Sequence, residues 1–306
     1  MNAPQRMILA TRRSALALAQ SRAFAVALTH GRPDIVVDEL HVVTTGDRIT
    51  DVALAEVGGK GLFIKEIEQA LLDHRADFAV HSLKDVPALI APELCLACIP
   101  ERADARDVLA RPQGQPLSSL ADLPRGARIG TSSLRRSVQL LRARPDLMLV
   151  PLRGNVDTRL RKLDAGEMDG IVIARAGLVR LGLGAREVEV LDPETIIPAP
   201  GQGAIAVQCR SNDHVTRTLL AALEDAETSV AVACERGAMS SLGADCKVPF
   251  GAYARREGTH LSVVAFYASG DRFGMFKRVE RTCPWPRSVD LATTIGLELG
   301  RELLES

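Results

Sequence analysis

Between Arg6 and Leu178, short apolar runs alternate with amphipathic ones, and this alternation restricts the fold more than any other feature of the chain. "RMILAT" is a strand, and "SALALAQSRAFAVALTH" is a helix with a serine at its start. "DIVVDELHVVTTGD" is a strand running into a turn, and "GKGLFIKEIEQALLDHR" is a second helix. "ADFAVHSLKDVP" is a strand ending in a polar turn. The series then repeats: strand "ARIG", helix "TSSLRRSVQLLRAR", strand "LMLVPLRG", helix "NVDTRLRKLDAG" and strand "DGIVIARAGL". Alternation of this kind predicts parallel sheets covered by helices. The two stretches also resemble each other. "ILATRRSALALAQ" and "RIGTSSLRRSVQLL" each run from a strand through a threonine, serine and arginine cluster into a helix.

Texture changes twice further on. "PETIIPAPGQGAIAVQCR" (193–210) is rich in proline and glycine and suits a crossing back from a second lobe to a first. "PFGAYARREGTHLSVVAFYASGDRFGMFKRVER" predicts three antiparallel strands with turns at "REGT" and "SGDR", and "SVDLATTIGLELGRELLES" an amphipathic helix. The expected architecture is therefore α/β, with two related lobes and a smaller C-terminal α+β domain. The boundaries are 1–103 with 201–221, 104–200, and 222–306. A length of 306 residues with 46% hydrophobic side chains can fill several cores.

Lys+Arg and Asp+Glu are 38 each, and this balance argues against a nucleic-acid-binding coat. The N-terminus lacks the apolar core of a signal peptide and no uninterrupted apolar run could span a bilayer, so a cytoplasmic protein without a membrane partner is expected. Six cysteines (95, 98, 209, 234, 246 and 283) show no disulfide framework. Cys95 and Cys98 form a C-x-x-C within a strand, where positions three apart face opposite ways, so they read as small buried hydrophobes. No zinc spacing, catalytic-triad signature or nucleotide-binding glycine motif occurs, and no metal site is expected.

Hydroxyls and guanidinium groups cluster at two strand-to-helix junctions: Thr11, Arg12 and Ser14, then Thr131, Ser132, Ser133, Arg135 and Arg136. Helix N-termini attract anions, and arginine binds carboxylate or phosphate in a bidentate manner. For either cluster alone, helix capping with solvated arginines explains as much. Arg153, Arg159, Arg175 and Arg180 follow later strands, and together the set points to a polyanionic, carboxylate-bearing ligand held between lobes. "HSLKDVP" ends a strand with Ser82, Lys84 and Asp85; a carboxylate there among cations can stabilise developing positive charge. His81 points to the other face and reads as structural. In "GADCKVPFGAYA", Cys246 could be structural, a metal ligand, a nucleophile or an attachment point. A carboxylate-binding module or a phosphate-ester enzyme would suit the same arginines.

"GGKGLFIKE", "AVHSLKDVP", "GTSSLRR", "LRGNVDTRL" and "PAPGQGA" resemble, in order, the motifs of the porphobilinogen deaminase family, also called hydroxymethylbilane synthases. The resemblance implies two lobes like type II periplasmic binding proteins plus a third domain. It also implies an enzyme of tetrapyrrole (haem) biosynthesis that joins four porphobilinogen molecules head to tail, with loss of ammonia. A dipyrromethane cofactor bound by a thioether to Cys246 is implied too, with Asp85 as the catalytic residue. Ser82, Lys84, Asp85, Thr131, Ser133, Arg135 and Arg136 match residues that hold the cofactor. Arg12, Ser14, Phe63, Arg153, Arg159 and Arg180 match substrate-binding residues, and Lys60 lies in the loop that closes over the site. A monomer is expected. Asp245, Glu56 and Asp157 depart from residues common in the family, and Asp245 and Lys247 flank the cysteine with opposite charges.

Overall fold

Burial on both faces sets the first sheet. The computed structural model describes residues 5–45, 64–114, 119–243, 248–270 and 274–305. It divides into two compact units, Met1–Arg102 with Ala204–Ser229 and Ala103–Gly203 with Val230–Ser306. In the first unit, β1 (Gln5–Arg12), β2 (Ile35–Val42), β3 (Phe78–Ser82), β4 (Leu94–Cys98) and β10 (Ile205–Arg210) form one sheet in the order β2-β1-β3-β10-β4. Met7, Leu9, Phe78, Val80, Val207 and Cys209 face one core with Phe24 and Leu28 of helix α1 (Ala15–Thr29) and Leu220 of α6 (His214–Ala221). Ala10, Ala79 and Leu94 face the other, against Ile67 and Leu71 of α2 (Lys65–Leu72). Both faces are covered, which is why these strands read as apolar almost throughout.

The second unit repeats the plan. Strands β5 (Asp107–Ala110), β6 (Arg128–Gly130), β7 (Met148–Val150), β8 (Gly170–Ala174) and β9 (Glu187–Val190) lie in the order β7-β6-β8-β5-β9. Helices α3 (Leu134–Ala143), α4 (Val156–Asp164) and α5 (Arg175–Arg180) accompany them. The expected parallel pairing holds for β1 with β2 and β3 and for β6 with β7 and β8, and the structure adds an antiparallel strand to each sheet. In each sheet the fourth strand is antiparallel to its neighbours: β10 to β3 and β4, and β5 to β8 and β9. These two strands come from the segments that cross between units. Their apolar runs are short and adjoin proline and glycine, so they read as connection rather than strand. "DGIVIARAGL" likewise turns from β8 into α5 after Ala174.

The C-terminal sheet has the expected antiparallel order β11 (Phe250–Glu257), β12 (His260–Ser269), β13 (Met275–Pro284). Ala252, Ala254, Leu261, Val263 and Ala265 pack on Cys234 and Ala238 of α7 (Ala226–Ser241) and on Ala292, Leu299 and Leu303 of α8 (Val289–Glu305). Its other face meets the second lobe, where Val264 and Phe266 pack with Val138 of α3 and Ile197. The crossing chain passes through a glycine at which any side chain would be strained. Gly203 has φ +87°, and a Cβ there would strike the backbone oxygen of Ala103. Among the described residues no helix is long and apolar enough to cross a membrane.

Candidate active site

In the first unit, β1 and β3 are parallel neighbours, so their carboxyl ends share one sheet edge, the usual ligand edge of such sheets. At the end of β1, buried Thr11 shares a 2.8 Å hydrogen bond with Ser21, and Arg12 is half-buried. Ser14 caps α1 by accepting from the Ala17 amide. At the end of β3, the Ser82 hydroxyl lies 3.0 Å from the side-chain nitrogen of Gln20. A single 3-10 turn, Leu83–Asp85, follows. Leu83 is fully buried and its amide donates to Ala204 O at 3.0 Å, which leaves Lys84 half-buried and Asp85 exposed. His81 takes the opposite face, with Nε2 at 3.0 Å from Gln208 Oε1. Burial depresses its pKa to about 4, the Gln208 contact opposing and Arg12 assisting.

In the second unit, the corresponding turn follows β6. The Thr131 amide donates to Val150 O, and its hydroxyl accepts from the Ser133 amide at 3.2 Å. The Ser132 hydroxyl accepts from the Leu152 amide at 3.0 Å. The expectation of hydroxyl caps on this helix needs correction: Ser133 occupies the N-cap position without a side-chain cap bond. These hydroxyls shape the turn instead. Arg135 and Arg136 are not solvated but buried, and both reach one carboxylate. Arg135 Nη2 donates to Asp107 Oδ2 and Arg136 Nη2 to Asp107 Oδ1, each at 2.7 Å. Gln202 Nε2 adds a bond to Asp107 Oδ1 at 2.9 Å. Burial alone would raise the Asp107 pKa, but the two guanidinium groups outweigh it and hold the carboxyl well below its usual range.

The remaining arginines are placed differently from one another. Arg180 donates to Gly203 O at 2.7 Å, and burial lowers its pKa from the usual arginine value. Arg159 Nε donates to Gly154 O at 2.7 Å, and Arg153 is half-buried just beyond β7. Arg175 is committed to ion pairs with Asp104 at 2.6 Å and Glu187 at 3.0 Å. Asp157 sits in the first turn of α4, where the helix dipole favours a carboxylate. Cys246, Asp245, Lys60, Phe63 and Glu56 lie outside the described residues. Cys98, Cys209 and Cys234 are buried, and burial pushes each thiol up to about 12, so none of them is a nucleophile near neutrality. Cys95 Sγ lies 3.9 Å from Cys209 Sγ across the β4–β10 ladder. Among the described residues no group of three potential ligands could hold a metal ion.

Sequence reasoning missed Asp107, Gln202 and Gln20. A signal for Asp107 existed in "ARDVLA", where a carboxylate opens an otherwise apolar strand and so requires a buried cation. The glutamines carried none.

Each of the two α/β sheets carries hydroxyl and cationic side chains just beyond the carboxyl ends of its strands, the position at which proteins of this α/β class commonly bind ligands. Residues 7–218 match the family profile described as porphobilinogen deaminase, dipyromethane cofactor binding domain, and residues 229–305 that of porphobilinogen deaminase, C-terminal domain. The chain belongs to the porphobilinogen deaminase family. It is 55% identical over 300 residues to the porphobilinogen deaminase of Sorangium cellulosum, covering 98% of this chain and 99% of that protein. It is 48% identical to that of Syntrophotalea carbinolica, covering 97% and 91%. Among solved structures, the periplasmic sulfonate-binding protein SsuA of Methylobacillus flagellatus aligns over 79% of this chain and 69% of that one, at 18% identity and a TM-score of 0.40. So loose a likeness carries no argument, and the fold rests on the sheet topology above.

The residues present fit the family's dipyrromethane cofactor, whose side chains are carboxylates. At the β6 turn, two guanidinium groups face one aspartate, leaving one positive charge in excess, and Arg136 Nε is buried without a hydrogen-bond partner. A carboxylate is the group such a position lacks.

Proposed function

We propose how this chain's residues divide the work of the family reaction. That reaction condenses four porphobilinogen molecules head to tail, with loss of four molecules of ammonia, and water then releases the linear tetrapyrrole hydroxymethylbilane. Cys246 holds the dipyrromethane through a thioether. When bound, that group supplies a free pyrrole α-carbon as the point of chain growth. In each round the aminomethyl C–N bond of porphobilinogen breaks, its nitrogen leaves as ammonia, and a C–C bond forms at an α-carbon that gives up its proton.

Asp85 serves the charge that develops in this exchange. Its carboxylate is exposed at the end of a single 3-10 turn whose first residue, Leu83, is buried, and it can accept pyrrole N–H hydrogen bonds beside the positive centre. Ser82, Lys84, Thr131, Ser133, Arg135 and Arg136 hold the cofactor's carboxylates. Arg12, Ser14, Arg153, Arg159, Arg180 and Phe63 bind substrate and growing chain, and Lys60 belongs to the loop that covers them. The chain works as a cytoplasmic monomer of three domains (1–103 with 201–221, 104–200, and 222–306).

One observation carries this reading: the unspent donor of Arg136 in a buried site with excess positive charge, at the turn where the family motif lies. The test is incubation with porphobilinogen, following its consumption, ammonia release and the porphyrin formed on oxidation of the product. The reading expects all three from the wild-type chain and none from Cys246→Ala. Turnover by Cys246→Ala at the wild-type rate would overturn it.

A further inference from the structure

We propose that Asp107 is a positioning residue for the cofactor, acting through Arg136. Asp107 opens β5 and is completely buried, paired across the ladder with Ala174 at the carboxyl end of β8. Its two oxygens are divided between two cations. Oδ2 accepts from Arg135, and Oδ1 accepts from both Arg136 and Gln202. Gln202 is fixed in turn by donating to Ala105 O at 2.6 Å.

The two arginines are held unequally. Arg135 is the more tightly held: Nη1 donates to Ile197 O at 2.6 Å and Nη2 to Asp107. Ile197 is bound further, its amide donating to Gln139 Oε1 at 2.7 Å and its oxygen accepting from Gln139 Nε2 at 3.2 Å. Arg136 has only the Asp107 bond through Nη2, and its buried Nε is unpartnered. One carboxylate therefore fixes the orientation of a guanidinium whose buried Nε–H has no hydrogen-bond partner. Long side chains lose rotamer freedom when they bind; a guanidinium already clamped has less to lose. The proposal rests on the reading that Arg136 binds a cofactor carboxylate.

Charge and position make opposite forecasts for Asp107→Asn. Removing the anion leaves two buried cations, and if charge alone governed binding, a carboxylate-bearing group would load better. An asparagine, however, offers one acceptor and one donor, and its NH2 confronts a guanidinium N–H, so the shared clamp opens.

The test measures conversion of the unloaded fraction to loaded protein by intact mass during incubation with porphobilinogen. Rates are normalised to folded protein by circular dichroism, below the melting temperature of each variant. The series is wild type, Asp107→Asn, Arg136→Gln and the double variant. We expect loading to slow at least tenfold in Asp107→Asn and in Arg136→Gln, with no further slowing in the double, because both act through one group. Asp107→Asn loading at or above the wild-type rate, or losses that multiply in the double variant, would overturn the positioning role. Arg136→Gln loading like wild type would instead overturn the underlying reading. If Asp107→Asn does not accumulate folded, Asp107→Glu, which keeps the charge and displaces the carboxylate, makes the comparison: slowed loading is expected, and loading at the wild-type rate would overturn the positioning role. Failure of Asp107→Glu to fold as well would mean that Asp107 serves the fold, and the assignment would fall.

Discussion

Asp85 and Asp107 show how placement divides the labour of one residue type. Asp107 has its oxygens filled by Arg135, Arg136 and Gln202 and is inaccessible, whereas Asp85 lies exposed on a one-turn helix beside Lys84. Only the second can meet a substrate. Asp85→Ala is therefore expected to keep the wild-type melting temperature, as surface substitutions generally do, because no packing is lost. Its turnover should fall by at least about 100-fold, the scale of losing one charge-stabilising group. Circular dichroism and steady-state rates check both halves, and wild-type turnover would refute the role. The buried Cys98 and Cys234, with thiols held up at about 12 by burial, should stay unmodified by an alkylating reagent at neutral pH in the folded protein. Peptide mass mapping after brief alkylation reads this directly, and rapid labelling of either would contradict the packing described.

At the scale of elements, β3 carries the site's turn on one end and a titratable group in its interior. His81 is buried against Gln208, with its pKa lowered to about 4. The unfolded chain then binds this proton first on acidification. The contribution is present above about pH 6.5 and lost as pH falls toward 4, a change of about 3 kcal/mol. Urea unfolding of wild type and His81→Gln across that range should diverge by roughly this amount, and parallel curves would contradict it. The crossing at Gly203 is equally exposed to test. Gly203→Ala demands a left-handed backbone from alanine and pushes Cβ into Ala103 O, so a loss of about 2 to 3 kcal/mol is expected in denaturant unfolding. No measurable loss would show that the crossing can give way. The elements most legible in the sequence were those with long periodic runs, such as α1 and the β11–β13 meander. Strands β5 and β10 escaped because four to six residues beside proline and glycine carry too little pattern to distinguish strand from connection.

For the whole molecule, sequence alternation was enough to give two similar lobes, and the structure adds that both sheets share one strand order with a single reversed strand. The arginine clusters were legible because guanidinium groups after strands are unusual in number here. Their burial was not, because it depends on Asp107 and Gln202, which lie 28 and 67 residues from Arg135 in the chain. Motif order identified the family, and the matches over 7–218 and 229–305 establish it. The central claim is that Cys246 carries a primer made from the enzyme's own substrate. It is tested most directly by intact mass spectrometry of the purified protein beside Cys246→Ala, before and after incubation with porphobilinogen. The account predicts two pyrrole units on wild type as purified, or at least two after incubation, and none on Cys246→Ala. The same added mass on Cys246→Ala, or none on wild type after incubation, would contradict it.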